Sequence, residues 1–296
     1  MDRAQQLVAI TGGAGRVGRL VASILKNNRC EVRILDLPTA DYTGLDEDAS
    51  LKIFPGDIGD EQYLAESFLG CDVVVHLAAV LPPIADEKPA LTRKVNVDGT
   101  MNVINVMSDK VPFARLVFGS SVVVYGNTQN LSAPVGTDTP LNGVGAYAES
   151  KIECEHIIAD SGIQNTILRI SGVSVAEFLM PPAPWPFTES QRMEFVLVDD
   201  VAAAVAQATL NERAVGAIYN VAGGNTWRMV GRQYSDEYYA LLQIPVDEAE
   251  FISESRAFDY LDTEQTVLDL DFVPTEFSGF KDLVERSIQE LMGEVD

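Results

Sequence analysis

Residues 7–18 read LVAITGGAGRVG: an apolar run, a glycine-rich turn, then the start of a helical pattern. Few features narrow the choice of fold so far. A short apolar run bounded by glycines reads as a buried strand. Gly12 allows the tight turn, Gly15 lets the backbone approach a pyrophosphate, and Gly18 lets the helix pack closely against its strand. A phosphate held there lies on the free amides and positive dipole end of the helix, where Arg16 and Val17 sit.

The alternation begun by this unit continues through residue 171. Apolar runs at CEVRILDL, SLKIFPGD, DVVVHLAA, ARLVFGSS and QNTILRIS are separated by helical stretches such as EQYLAESFLG, LTRKVNVDGTMNVINVMSD and AYAESKIECEHIIADSG. Strands alternating with helices predict an α/β fold with a doubly wound parallel sheet, the Rossmann arrangement. Beyond residue 171 the pattern loosens. MPPAPWPFTESQ (180–191) is too rich in proline for a helix or a central strand and reads as a loop. VDDVAAAVAQATLN reads as a helix capped by Asp199 or Asp200. GAIYNVAGG reads as a further strand and turn, and FKDLVERSIQELM as a closing helix. The expected division is a nucleotide-binding domain over 1–171 and a small C-terminal substrate-binding lobe over 172–296, with about 195–222 returning to the sheet.

Hydrophobic residues make up 47% and charged residues 22% of the 296, enough to bury a sizeable core. The formal net charge of -23 argues against a nucleic-acid partner. Lysines number 7 against 14 arginines, and so acidic a balance suits a salt-rich habitat. No run has the length of a membrane-spanning helix. MDRAQQLVAITGG lacks the basic start and long apolar stretch of a signal peptide, so a cytoplasmic protein is expected. Cys30, Cys71 and Cys154 are scattered and read as core residues. Two histidines, His76 in an apolar run and His156 on a helix surface, are too few for a histidine metal site, and no metal is expected.

The second strand ends in Asp36, 18 residues after Gly18. An acid there accepts hydrogen bonds from an adenosine ribose and repels a 2′-phosphate, which selects NAD over NADP. Asp57, with Ile58 beside it, follows the third strand where an adenine amino group is within reach. Leu77, Ala78 and Ala79 follow the fourth strand and complete the expected cofactor wall.

Ser120 and Ser121 end the fifth strand, and in an open parallel sheet ligands bind beyond the carboxyl ends of strands. Tyr147 and Lys151 follow Ser121 by 26 and 30 residues, one turn apart on the next helix. Oxidising an alcohol requires a base for its proton. A free phenol, pKa about 10, is a poor one at neutral pH. An ammonium at ~4 Å attracts the phenolate by roughly 4 kcal/mol at an effective dielectric of ~20, about three pKa units. The expectation is that Lys151 lowers Tyr147 and binds ribose, while Ser121 holds the substrate oxygen.

TGGAGRVG, Asp36, GDIGD, VVHLAAV, VNVDGTMNV, SSVVVYG, YAESK, LRISG, VDDVA and YNVAGG occur in this order. In them the chain resembles, over nearly its full length, an extended short-chain dehydrogenase/reductase of the NAD-dependent epimerase/dehydratase family. The resemblance implies catalytic roles for Ser121, Tyr147 and Lys151. It implies a cofactor-supporting role for Asn96 and a homodimer paired through helices near 95–108 and 146–161.

The substrate half departs from the sugar-nucleotide members of that family. Gly172 stands where they commonly carry an asparagine. Met193 stands where they carry an arginine, with Arg192 one place earlier, and Leu197 replaces a histidine. Val122 and Val123 supply no acid beside the serine, which argues against a dehydratase. A diphosphate wants several basic groups, and this half is poor in them. Arg228 and Arg232 read more readily as surface pairs. Leu81, Ser120, Val122 and Arg192 are the candidate substrate contacts, and Trp185 and Phe187 read as a lid or as loop packing. The expected activity is hydride exchange between NAD and a carbinol carbon of a small polar substrate: a sugar, sugar acid or hydroxy acid. A nucleotide-sugar 4-epimerase is the first alternative. A non-catalytic NAD-responsive regulator is the second, and the complete Ser/Tyr/Lys set argues against it.

Overall fold

The computed structural model describes residues 5–45, 47–48, 50–255 and 257–293. In chain order the first strands are β1 (Leu7–Thr11), β2 (Glu31–Asp36), β3 (Leu51–Pro55), β4 (Val73–His76), β5 (Arg115–Ser121) and β6 (Asn165–Ile170). The short strands β7 (Val173–Ser174), β8 (Arg192–Met193) and β9 (Val196–Leu197) come next, then β10 (Ile218–Val221) and β11 (Met229–Val230). Seven strands form one sheet in the order β10-β6-β5-β4-β1-β2-β3, and its pairs are parallel. The chain winds outward from β1 through β2 to β3, then returns to β4 and winds the other way. The reversal lies between β1 and β4, where a doubly wound sheet opens its ligand crevice.

Side-chain alternation explains the two layers of helix. Val8, Ile10, Val73, Val75 and Val117 point to one face, where they meet α1 (Arg16–Asn27) through Val21 and Leu25. Ala9, Val74, Leu116 and Phe118 point to the other. There they meet α2 (Glu61–Phe68), and later helices through Met107, Cys154 and Ile158. Strands buried on both faces must be apolar throughout, which is why β4 reads VVVH with all four residues buried.

The stretch after β4 departs from the expected single helix. It holds two single turns, α3 (Ile84–Glu87) and α4 (Pro89–Thr92), then a π-helical stretch over Arg93–Asp98 that runs into α5 (Gly99–Lys110). Wider π turns are frequent at functional sites, and this one faces the cleft described below. α6 (Ala146–Asp160) packs beside α5, and α7 (Val198–Leu210) packs against α1. α8 (Gly231–Leu241), α9 (Glu264–Leu270) and α10 (Phe277–Met292) complete the chain.

A separate aromatic core holds the C-terminal lobe together. Trp185, Phe187, Phe195, Trp227, Tyr234 and Phe280 are all buried in it. Of the two readings of Trp185 and Phe187, loop packing is the one realised: their rings stack at 5.3 Å inside this cluster. Asp199 and Asp200 do not cap α7. Leu197 is the cap residue, and the acids stand in the first turn. There the Asp200 carboxylate accepts hydrogen bonds from the Thr275 amide at 2.8 Å and hydroxyl at 2.9 Å. Cys30, Cys71 and Cys154 are buried free thiols.

Candidate active site

Register places the site. Thr11 pairs with His76 and His76 with Phe118, so β1 and β4 end level with Phe118 while β5 runs on to Ser121. The residues that follow, Gly12, Leu77 and Gly119, therefore share one rim and open on a cleft of about 810 Å³. At one end is the glycine turn. Gly12 has φ +69°, and a Cβ there meets the Ala78 amide nitrogen at 2.8 Å. A Cβ on Gly18 meets the Gly12 carbonyl oxygen at 2.4 Å, so only glycine lets α1 start this close to β1. Gly15 caps α1 and provides no side-chain bond to its free amides, which leaves them for a ligand.

Asp36 lines the same cleft. Its Oδ2 accepts the Ala14 amide at 3.0 Å and its Oδ1 accepts the Leu37 amide at 2.9 Å. Each oxygen keeps a lone pair for a ribose hydroxyl. Asp57 accepts the Gly59 amide at 2.8 Å and lines the cleft with Ile58. A glycine cradle, open helix amides and a carboxylate one strand away form a donor set that fits a dinucleotide.

At the other end Ser121, Tyr147 and Lys151 come together. The Ser121 side chain acts on the Tyr147 phenol, and its hydroxyl donates to the Ile170 carbonyl at 3.3 Å. Lys151 is buried, donates from Nζ to the Gly119 carbonyl at 2.7 Å, and lies 4.5 Å from the Phe118 ring centre. The expected lowering of Tyr147 by Lys151 does not occur within this chain alone. Burial holds the phenol above its usual value, and the Ser121 side chain pulls the other way. Burial also pushes the Lys151 amine down. Desolvation decides both shifts, because neither charged form has water to support it.

The family model described as "NAD dependent epimerase/dehydratase family" matches residues 8–178. The chain belongs to that family. A UDP-glucose 4-epimerase of Lactobacillus helveticus is 35% identical over 57% of this chain and 52% of its own length. A D-erythronate dehydrogenase of Cupriavidus necator is 31% identical over 57% of this chain and 55% of its own. The chain thus spans about half the length of these two relatives. A short-chain dehydrogenase/reductase superfamily protein of Agrobacterium tumefaciens, solved with bound NAD, superposes with a TM-score of 0.80. It covers 98% of this chain and 99% of its own at 20% identity, a likeness of fold.

Among the cleft residues of this family member are Gly12, Gly15, Arg16, Val17, Gly18, Leu77, Ala78, Ala79, Leu81 and Ser120. Asn96 stands behind the wall. It is buried, and its amide bonds both polar atoms of the Val80 backbone and the Ser150 hydroxyl, so it braces the cleft. Two expected substrate contacts lie elsewhere. Val122 is 1% exposed and packs with Val124 and Val135. Arg192 is not among the lining residues; it forms an ion pair with buried Asp259 at 2.7 Å. Tyr63, Lys94, Asp98, Asn102 and Ser171 line the cleft without having been singled out. The π turn carries Lys94 and Asp98 there, and no helical period announces such a turn. His76 is structural: its ring nitrogens meet the Thr11 and Thr100 hydroxyls at 2.6 and 2.9 Å.

Proposed function

We propose that this chain is an NAD-dependent oxidoreductase acting on a carbinol carbon of a small polar substrate, a sugar, sugar acid or hydroxy acid. The observation that carries the reading is the placement of Ser121, Tyr147 and Lys151 at one end of a cleft whose other end is the glycine cradle and Asp36. Gly12, Gly15, Arg16, Val17, Gly18 and Asp36 would hold the pyrophosphate and adenosine. Lys151 would bind the nicotinamide ribose. Bound NAD supplies a carbon that accepts or returns hydride and a positive ring that favours the Tyr147 phenolate.

The residues do the proton chemistry. Tyr147 takes the proton from the substrate hydroxyl, or returns it to a carbonyl oxygen. Ser121 hydrogen-bonds the same oxygen and holds it against Tyr147. Lys151, anchored on the Gly119 carbonyl, keeps a positive charge beside the phenol. A small substrate is favoured because three arginines of the C-terminal lobe are engaged. Arg192 pairs with Asp259, Arg228 with buried Glu194, and Arg232 with Glu189 and Asp236. A diphosphate needs such groups free.

An epimerase is the second reading, favoured by the relatives so named. We expect a homodimer that pairs the outer faces of α5 and α6, where Met101 is exposed, and a cytoplasmic setting. Light scattering of the purified protein tests the first and fractionation of the source cells the second. The activity is tested by supplying excess NAD with free sugars, uronic acids, polyols, hydroxy acids and UDP-sugars. Net NADH from a free small substrate, reduced roughly 10²–10⁴-fold in Tyr147→Phe, supports the dehydrogenase. Conversion of a UDP-sugar to its epimer with no net NADH from any compound overturns it.

A further inference from the structure

Tyr147, Lys151 and Glu155 are four apart along α6 and form one stripe facing β5. Each meets a consecutive part of the strand end. The Tyr147 side chain is acted on by Ser121, Lys151 Nζ donates to the Gly119 carbonyl at 2.7 Å, and Glu155 Oε1 accepts the Ser120 hydroxyl at 2.5 Å. The third of these rungs is as buried as the second: Glu155 is 4% exposed and Lys151 3%. Arg169 on β6 holds Glu155 from behind, donating through Nε and Nη2 to both carboxylate oxygens, with the shortest contact 2.7 Å.

A buried ion pair is weak evidence for stability. Apolar residues of like volume commonly replace one at no loss. This pair lies against a cleft residue and one turn beyond a buried amine, and that placement asks for another reason. We propose that Glu155, held by Arg169, is a positioning residue for the proton-transfer pair: it fixes Ser120 and sets a negative charge beside Lys151. Ser120 then has its proton committed to Glu155 and offers the cleft an acceptor only.

Burial drives the Lys151 amine down, and Cys154 and then Glu155 work against it from the same helix. Of the other elements, β6 presents Arg169, whose cation is paired with Glu155, and α3 presents Asp86, whose carboxylate accepts the Tyr147 amide at 3.2 Å. β4 presents His76, whose imidazole burial lowers to about 3 and so leaves neutral. β5 presents the Phe118 ring and the Gly119 carbonyl. α6 itself adds the Tyr147 phenol, raised by burial. The Cys154 thiol is likewise raised by burial, so it stays protonated. Glu155 is thus the carboxylate that sustains the ammonium.

This role rests on the proposed use of Tyr147 and Lys151, but its test needs no substrate. The amine is titrated by NMR of protein labelled at lysine ε-carbons, with Lys151→Met to assign the signal. Glu155→Gln keeps the Ser120 hydrogen bond and removes the charge. Glu155→Gln with Arg169→Met removes both charges and covers the case where the single variant does not fold. The expected result is a Lys151 pKa lower by about one unit in folded Glu155→Gln, and lower by less in the double variant, where loss of the Arg169 cation offsets part of the change. Where turnover is measurable, the alkaline limb of kcat/KM moves down with it. A merely structural pair would lower Tm and leave the titration in place, and an unmoved Lys151 signal in a folded variant overturns the proposal.

Discussion

Tyr147 and His76 show how far burial decides protonation at single residues here. The phenol is raised by burial and the imidazole is lowered to about 3. For His76 the sign follows from linkage. Unfolded, it binds a proton below its ordinary value of 6.5; folded, it does not until about 3. Between those values the unfolded state holds more protons, so acid weakens the fold, by up to ~1.4 kcal/mol per pH unit from this group. We expect His76→Gln to flatten the fall of stability from pH 6.5 to pH 3 relative to the parent, as read by urea unfolding at a series of pH values. At Asp36, the carboxylate that accepts the Ala14 and Leu37 amides, replacement by serine should weaken NAD binding about tenfold and narrow its margin over NADP. Calorimetry with both cofactors checks this. Asp36 and the Ser/Tyr/Lys set were legible because strand ends and helix spacing fix them locally. Arg192 was not, because its partner Asp259 lies 67 residues away in sequence.

At the scale of elements, the strands and helices of the first half announce themselves because the central strands are apolar on both faces and each helix on one. The segment between β4 and α5 does not. Its π turn over Arg93–Asp98 keeps a helical pattern of apolar residues while rotating Lys94 and Asp98 into the cleft. The short strands β7, β8, β9 and β11 were equally hidden, since two residues carry no period. One link between elements bears on function. α6 begins at Gly145 with φ 102° and no side-chain cap. Asp86 of α3 supplies one instead, its Oδ1 accepting the Tyr147 amide at 3.2 Å. α3 thereby holds the first turn of the helix that carries Tyr147. Asp86→Ala should cost about 1 kcal/mol and lower kcat, whereas Asp86→Asn keeps the acceptor and most of both. Thermal unfolding and turnover of the two variants decide it.

At the scale of the molecule, the sheet and its crevice follow from the alternation of strand and helix, whereas the C-terminal lobe is held by an aromatic cluster drawn from distant segments. Trp185, Trp227 and Phe280 meet only once the chain is folded. The formal charge of -23 also acts at this scale. Self-repulsion opposes the compact state and salt screens it, so Tm should rise with added sodium chloride; a Tm unchanged between low and high salt would contradict this. The central claim is that hydride taken from substrate leaves the cleft on the cofactor. The most direct measurement follows deuterium from the carbinol carbon of the substrate that the panel identifies. A dehydrogenase places the label in released NADH in step with product. Label retained on the product carbon, with inverted configuration and no released NADH, would contradict it and establish the epimerase.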